Sequence, residues 1–422
     1  MSNSMSERIL ATYHIETAGE VTRVAEIMAG EQSAGTFVKV PGETPELLAR
    51  HGARVVGITP LEAVETPSLP GAQAAASGQA YQRARVTLSF PLENIGLSLT
   101  TLFTTVAGNL FELHPLAGIR LLDVTIPAAF GEKYPGPQFG IEGTRTLAGV
   151  QARPLIGTII KPSVGLSPEA TAELVAVLCE AGLDFIKDDE LQTNSPHSPL
   201  AERVAAVMRV INAHAERTGK KVMVAFNVTG DLEDMKRGHD VVLAHGGTCI
   251  MVNMLAVGLA GVIELRRHSQ LPIHGHRAGW GALSRHPQLG LDYRAFQKFF
   301  RVAGVDHLHV NGLRNKFCES DASVVASAQE CLTPLPGLDY RVMPVFSSGQ
   351  TAAQAPDTYA ALDSVDLMFL AGGGLMAHPA GAAAGVRSLQ QAWEAALQHI
   401  PLTTYAQTHP ELQQALQRFG HA

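Results

Sequence analysis

Cysteine is scarce in this chain: four residues in 422 (Cys179, Cys249, Cys318, Cys331), with no CxxC or other metal-binding spacing. That argues against a disulfide scaffold or a thiolate metal centre, and it suits a reducing, cytoplasmic setting. An excess of positive charge is also missing. With a formal net charge of -7 a generally basic nucleic-acid surface is excluded, and only local basic pockets for small anions remain. No stretch reaches the roughly 18 apolar residues of a membrane span. Residues 1–8 are polar and lack the apolar core of a secretory leader, so neither a membrane nor a nucleic acid is expected as a partner. Charge is modest at 17% and hydrophobic residues make up 46%, the balance of a globular enzyme and not of a disordered chain. At this length one ordinary core is too small, so two domains are expected.

What is present changes character near residue 150. Before it, residues 84–90 alternate like a half-buried strand and residues 97–113 suit helix and turn, which together read as α+β. Residues 131–154, rich in Gly, Pro and charge, read as a connection between domains. Beyond it, short β-branched runs recur at 155–162, 184–190, 222–229, 249–255, 271–278, 306–312, 342–349 and 366–374. Helical stretches such as 168–181, 200–218, 293–303 and 321–331 lie between them. Eight strands alternating with helices predict a (β/α)8 TIM barrel. The expected division is an N-terminal α+β, ferredoxin-like domain over 1–140, a barrel over 150–400 and a helical tail over 401–422.

Polar residues gather at the C-terminal ends of these runs, which in a barrel share one mouth. Lys161 ends the first, Lys187-Asp188-Asp189-Glu190 the second, Asn227 the third, Asn253 the fourth and His274-Gly275-His276-Arg277 the fifth. His307 and His309 follow on the sixth, Ser347-Ser348 on the seventh and Gly372-Gly373-Gly374 on the eighth. The acidic run reads either as a solvated turn or as hard oxygen ligands for Mg2+. His276 and Arg277 make an anion site, whereas His307 alone reads equally as a structural histidine. The glycines read as a tight turn or, with Ser348 and Gly349, as a phosphate cradle.

In their order and spacing these residues resemble the RuBisCO superfamily over nearly the whole chain. The resemblance is carried by Gly157 to Pro162, Gly165-Leu166-Ser167, Gly182 to Glu190, the segments 31–37 and 106–109, and the strand-end motifs above. It implies that Lys187 is carbamylated by CO2 (N6-carboxylysine) and holds Mg2+ with Asp189 and Glu190, Asp188 supporting. It further implies Lys161 as acid or base, His276 as a proton-transfer aid, and Arg277, His309 and Ser348, beside Gly349, around one anionic end of the substrate. Thr36, Gly372 and Gly373 would bind the other end. Lys316 would close over the ligand, and Glu31 and Asn109 would reach the site from a neighbouring subunit of a homodimer or larger assembly.

Departures from the carboxylase pattern narrow the activity. Ser163 stands in place of a second lysine, Phe37 in place of a tryptophan and Gln350 in place of a glycine; Trp280 replaces a histidine, and Arg314-Asn315 replace small residues. The chain is therefore similar to the RuBisCO-like proteins, for which carboxylation of ribulose bisphosphate is not expected. Retention of both Lys161 and Lys316 counts against the methionine-salvage branch, the 2,3-diketo-5-methylthiopentyl-1-phosphate enolase or methylthioribulose-phosphate isomerase. Residues 274–281 and 309–316 look like those of apiose and isoapionate catabolism, which implies Mg2+-dependent decarboxylation of 3-oxo-isoapionate 4-phosphate to L-erythrulose 1-phosphate. The alternatives carried with it are a transcarboxylase/hydrolase acting on the same keto acid, Schiff-base chemistry at Lys161 or Lys187, and a non-catalytic sugar-phosphate binder.

Overall fold

The structure is a computed structural model that describes residues 7–35 and 40–420. It divides into two compact units: residues 1–135 with 279–302 and 334–339, and residues 136–278 with 303–333 and 340–422.

The first unit is built on a five-stranded sheet. Strands β1 (Arg8–Thr17), β2 (Arg54–Val64), β3 (Tyr81–Pro91) and β4 (Leu116–Val124) are joined by β10 (Leu289–Leu291), in the order β10-β4-β1-β3-β2. Only the β10–β4 pair is parallel. Alternation in β1 buries Ile9, Ala11, Tyr13 and Ile15, and β3 buries Ala84, Val86 and Leu88 in step with it, the period-2 pattern of a sheet with one covered face. The predicted helix and turn over 97–113 is a helix, Leu99–Ala107, followed by a 3-10 turn, Asn109–Glu112.

The second unit contains a closed parallel barrel of β5 (Leu155–Ile159), β6 (Phe185–Lys187), β7 (Met223–Asn227), β8 (Cys249–Asn253), β9 (Ile273–His276), β11 (His307–His309), β12 (Met343–Phe346) and β13 (Met368–Leu370). Each lies within one of the eight runs read from the sequence. These strands are buried on both faces, which is why most of them read as apolar runs without alternation, β9 and β11 carrying buried histidines as well. Gly157 shows how tight the barrel is: a Cβ there would lie 2.5 Å from Leu370 Cδ2 and 2.6 Å from the Phe185 carbonyl oxygen. The helices Pro168–Glu180, Leu200–Thr218 and Asp321–Leu332 follow β5, β6 and β11. Ser167 and Ser320 cap two of them by accepting backbone N–H bonds.

One expectation is corrected. The Gly- and Pro-rich stretch 131–154 is not only a connection: it contains a helix, Gly140–Ala148. Gly140 enters it at φ 52° and Gly149 ends it in the left-handed region, so two of the glycines that suggest a loop are the helix boundaries. Ile141 and Ala148 pack with Leu155, Met223, Cys249, Met343 and Met368, the first residues of barrel strands, and close the end opposite the mouth. Buried Asp306 fastens this helix by accepting the N–H groups of Phe139 and Gly140 at 2.6 and 2.9 Å. At the C-terminus, the helix Pro410–Phe419 follows Ala382–Leu397 and is tied to it through Glu411, which accepts from Arg387 at 2.9 Å. No helix among the described residues is long and apolar enough to cross a membrane.

Candidate active site

β6 ends by carrying its last side chain inward. Lys187 is 1% exposed, and its Nζ donates to the Asp188 carbonyl at 2.8 Å and lies 3.6 Å from Glu190 Oε2. Burial pushes the Lys187 ammonium below the usual lysine range, against the raising influence of Glu190, Asp189 and Asp188. The neighbouring carboxylates have different tasks. Asp188 Oδ2 accepts from Arg203 Nη2 at 3.1 Å and from the Asn227 backbone N–H at 3.0 Å, which commits it to holding the strand ends together. Asp189 faces the other way and pairs with Lys161 at 2.7 Å. Glu190 is the accessible member, at 35% side-chain exposure.

The ends of β5, β7 and β9 complete this side of the mouth. Lys161 Nζ also donates to Ser163 Oγ at 2.8 Å, and a Cβ on Gly372 would lie 3.6 Å from Lys161 Cε, so the glycine loop after β13 is adjacent. Asn227, noted in the sequence only as a polar strand end, donates from Nδ2 to the carbonyls of Asp189 at 3.2 Å and Glu190 at 3.1 Å. It thereby sets the backbone that aims both carboxylates. His276 Nε2 lies 3.5 Å from Glu190 Oε2, while its Nδ1 accepts the Ala278 N–H at 3.2 Å. That leaves Nε2 as the protonated nitrogen of the neutral ring, and burial holds its pKa well below the ordinary histidine value.

The opposite side is built from a buried column of imidazoles. Thr144 Oγ1 donates to the Gly140 carbonyl and so accepts from His307 Nε2 at 2.8 Å. His307 Nδ1 faces His274 Nδ1 at 3.3 Å, His274 Nε2 faces His309 Nε2 at 2.7 Å, and His309 Nδ1 faces Ser347 Oγ at 2.9 Å. With the Thr144 end fixed, each proton has one place: on His307 Nε2, His274 Nδ1 and His309 Nε2, with the Ser347 hydroxyl donating. Burial holds all three rings below the ordinary histidine pKa, His307 at about 3. Both nitrogens of His309 are therefore engaged inside the protein.

The loop after β11 supplies a residue that the sequence reading missed. Arg277 is ion-paired with Glu319, which also accepts from Asn311 Nδ2 at 2.7 Å and Ser323 Oγ at 2.8 Å. Ser348 Oγ donates to Asn311 Oδ1 at 2.8 Å. Lys316 is exposed, with its ammonium 5.2 Å from the centre of the Phe317 ring. Its backbone N–H donates to the Ser348 carbonyl at 3.1 Å, tying the loop to the β12 end that carries Gly349. Gln350 strengthens that tie: its Nε2 donates to the Leu313 carbonyl at 3.1 Å, and a Cβ on Gly312 would lie 2.2 Å from its Cδ.

Other sequence candidates lie elsewhere. Glu31 and Asn109 are exposed on the first unit, on neighbouring turns: a Cβ on Gly108 would lie 3.2 Å from Gln32 Nε2. Thr36 and Phe37 fall outside the described residues. A cleft of about 410 Å³ on the first unit, lined by Gln32, His51, Phe90, Asn94 and Thr105 among others, has no carboxylate or lysine among its described lining residues. On the barrel exterior His239, Asp240 and His268 cluster. There His239 Nε2 accepts the Gln270 N–H, so its Nδ1 carries the proton given to Asp240 at 2.8 Å. A cation at Nδ1 would require an imidazolate, and the cluster is explained as a hydrogen-bonded one. Asp189 and Glu190 beside Lys187, with carboxylates at the mouth, are the set suited to a hard divalent cation.

Comparison with known proteins agrees with this architecture. Residues 3–130 match the ribulose bisphosphate carboxylase large chain N-terminal domain, and residues 140–419 match its catalytic domain. A 3-oxo-isoapionate-4-phosphate transcarboxylase/hydrolase of Xanthobacter autotrophicus is 56% identical over 98% of this chain and 99% of its own. A 3-oxo-isoapionate-4-phosphate decarboxylase of Rhizobium etli is 48% identical, again over 98% and 99%. The crystal structure of a rubisco-like protein from Burkholderia fungorum superposes with a TM-score of 0.91 at 48% identity, covering 97% of this chain and 99% of that one.

Proposed function

Because the chain belongs to the ribulose bisphosphate carboxylase large-chain family, we propose that it is an enzyme that breaks the carbon–carbon bond to the carboxyl carbon of 3-oxo-isoapionate 4-phosphate. The observation that carries this reading is the convergence of buried Lys187, Asp189 and Glu190 beside Lys161, in a chain about half identical to two proteins named for that substrate. The donor set fits Mg2+. Asp189 and Glu190 are hard oxygen ligands, and the buried Lys187 amine, disfavoured as an ammonium, is the neutral nucleophile that CO2 needs to form a carbamate. When bound, the cation would act as a Lewis acid that draws electron density from the substrate's oxygens.

The chain's own residues account for the remaining steps. As the bond to the carboxyl carbon breaks, its electron pair stays on the sugar carbon, and the Lys161 ammonium, oriented by Asp189 and Ser163, donates the proton that carbon needs. His276, with Nε2–H turned toward Glu190, is placed to exchange a proton with a substrate hydroxyl. Gly372 and Gly373, with Thr36, would take the phosphate; Lys316 would close on the departing carboxyl group. Glu31 and Asn109 would complete the site from a second copy in a homodimer.

Two fates of the carboxyl group fit these residues. Release as CO2, giving L-erythrulose 1-phosphate, is the decarboxylase reading supported by residues 274–281 and 309–316. Transfer followed by hydrolysis is the second reading, and the margin of 56% over 48% identity favours it. The test is incubation of carboxyl-labelled 3-oxo-isoapionate 4-phosphate with the enzyme, Mg2+ and bicarbonate. Consumption with label in CO2 supports the first reading, consumption with label in an organic acid supports the second, and no consumption sinks the proposal.

A further inference from the structure

The three groups that the family resemblance assigns to an anionic end of the substrate each already have a partner within the protein. Arg277 is ion-paired with Glu319, both His309 nitrogens face His274 and Ser347, and the Ser348 hydroxyl donates to Asn311. Glu319 is held firmly. One oxygen accepts from Arg277 and Asn311, the other from Ser323, and the side chain is 14% exposed. It stands immediately before Ser320, the N-cap of the helix Asp321–Leu332, where the helix dipole favours a negative charge. Asn311 reaches both neighbours because its backbone adopts φ 66°, in the left-handed region that asparagine tolerates better than most residues.

We propose that Glu319 is a specificity-determining residue, a resident carboxylate whose negative charge offsets the positive charge of Arg277 in its pocket. The pocket then receives an uncharged, hydroxyl-bearing end of the substrate, and a second phosphate is refused because it would have to sit beside a carboxylate that has already claimed the arginine. The enzyme is thereby restricted to monophosphorylated sugar acids. This rests on the sugar-phosphate reading above, but it concerns the binding of charge and not the reaction, so the two fail separately.

The test is calorimetric titration of the full-length protein, with Mg2+, using ribulose 1,5-bisphosphate and ribulose 5-phosphate as probes. Wild type should bind the bisphosphate no better than the monophosphate. Glu319→Gln, which keeps the volume and loses the charge, should improve bisphosphate binding at least about tenfold and change monophosphate binding by less than about threefold. A bisphosphate that wild type binds tenfold more tightly than the monophosphate would show that Glu319 moves aside and would overturn the proposal without any variant. So would a folded Glu319→Gln protein, checked by its thermal midpoint, with no gain for the bisphosphate. Failure to turn over 3-oxo-isoapionate 4-phosphate would leave this inference standing, and a negative titration would leave that reaction untouched.

Discussion

The two sides of the barrel mouth use the same residue types in opposite ways. On the side of β5 and β6, Lys161, Lys187, Asp189 and Glu190 meet through ion pairs of 2.7 and 3.6 Å between groups that a cation and substrate can take over. Around the imidazole column and the loop after β11, His274, His307, His309, Arg277 and Ser348 each already have an internal partner, down to a single allowed tautomer for each ring of the column. On the proposed reading the first side uses buried charge for chemistry, and the second uses buried polarity for shape. Burial alone therefore does not identify a catalytic group; what matters is whether its partners can be exchanged.

If that contrast holds, damage to the first side should abolish turnover and damage to the second should mainly alter stability or selectivity. The largest effect is expected for Lys187→Met, which should lower kcat by at least about 10³-fold with an unchanged circular dichroism spectrum; activity within tenfold of wild type would erase the distinction. Lys161→Met should follow with a loss of about 10²- to 10⁴-fold, the usual worth of a positioned acid or base. Asn227→Ala leaves every ionisable group in place but frees the carbonyls of Asp189 and Glu190, and should cost about 10- to 100-fold in Mg2+ affinity, read by titrating activity with the cation.

The smallest effect, and the one that probes the second side, is a pH dependence of stability. His307 is held down to about 3 in the folded protein against an ordinary value of 6.5. Below 6.5 the unfolded chain therefore binds a proton that the folded chain refuses. Stability should be full above that value and fall as pH drops from 6.5 toward 3. His307→Gln should reduce the slope of the unfolding free energy with pH in that window by about one proton, measured by urea unfolding between pH 7 and pH 4. An unchanged slope would mean that the column is not neutral.

How far the sequence foretold these two sides follows from their construction. The barrel was legible because eight β-branched runs each end in a chemically distinct polar group, and Lys187 to Glu190 was legible because three carboxylates after an apolar run have few structural uses. The helix Gly140–Ala148 was hidden by its own boundary glycines. Glu319 carried no signal at all: it is one acid in a polar loop, and its place on Arg277 depends on left-handed turns at Asn311 and Arg314 that no local pattern announces. Asn227 could have been singled out, since an amide at a strand end beside an acidic run has two carbonyls within reach. The imidazole column was half visible, because His274 and His307 have the spacing of inward-facing residues two before His276 and His309, but their hydrogen-bond order depends on Thr144, which lies in the helix that the sequence obscured.

The central claim is that the buried Lys187 amine is the CO2-reactive member of a cation site formed with Asp189 and Glu190. The most direct measurement is a 13C NMR spectrum of the protein in 13C-labelled bicarbonate, with and without Mg2+, for wild type and Lys187→Met. The account predicts a carbamate resonance in wild type that Mg2+ strengthens and that the variant lacks. A wild-type enzyme that turns over under these conditions with no such resonance, or a resonance that persists in Lys187→Met, would contradict it.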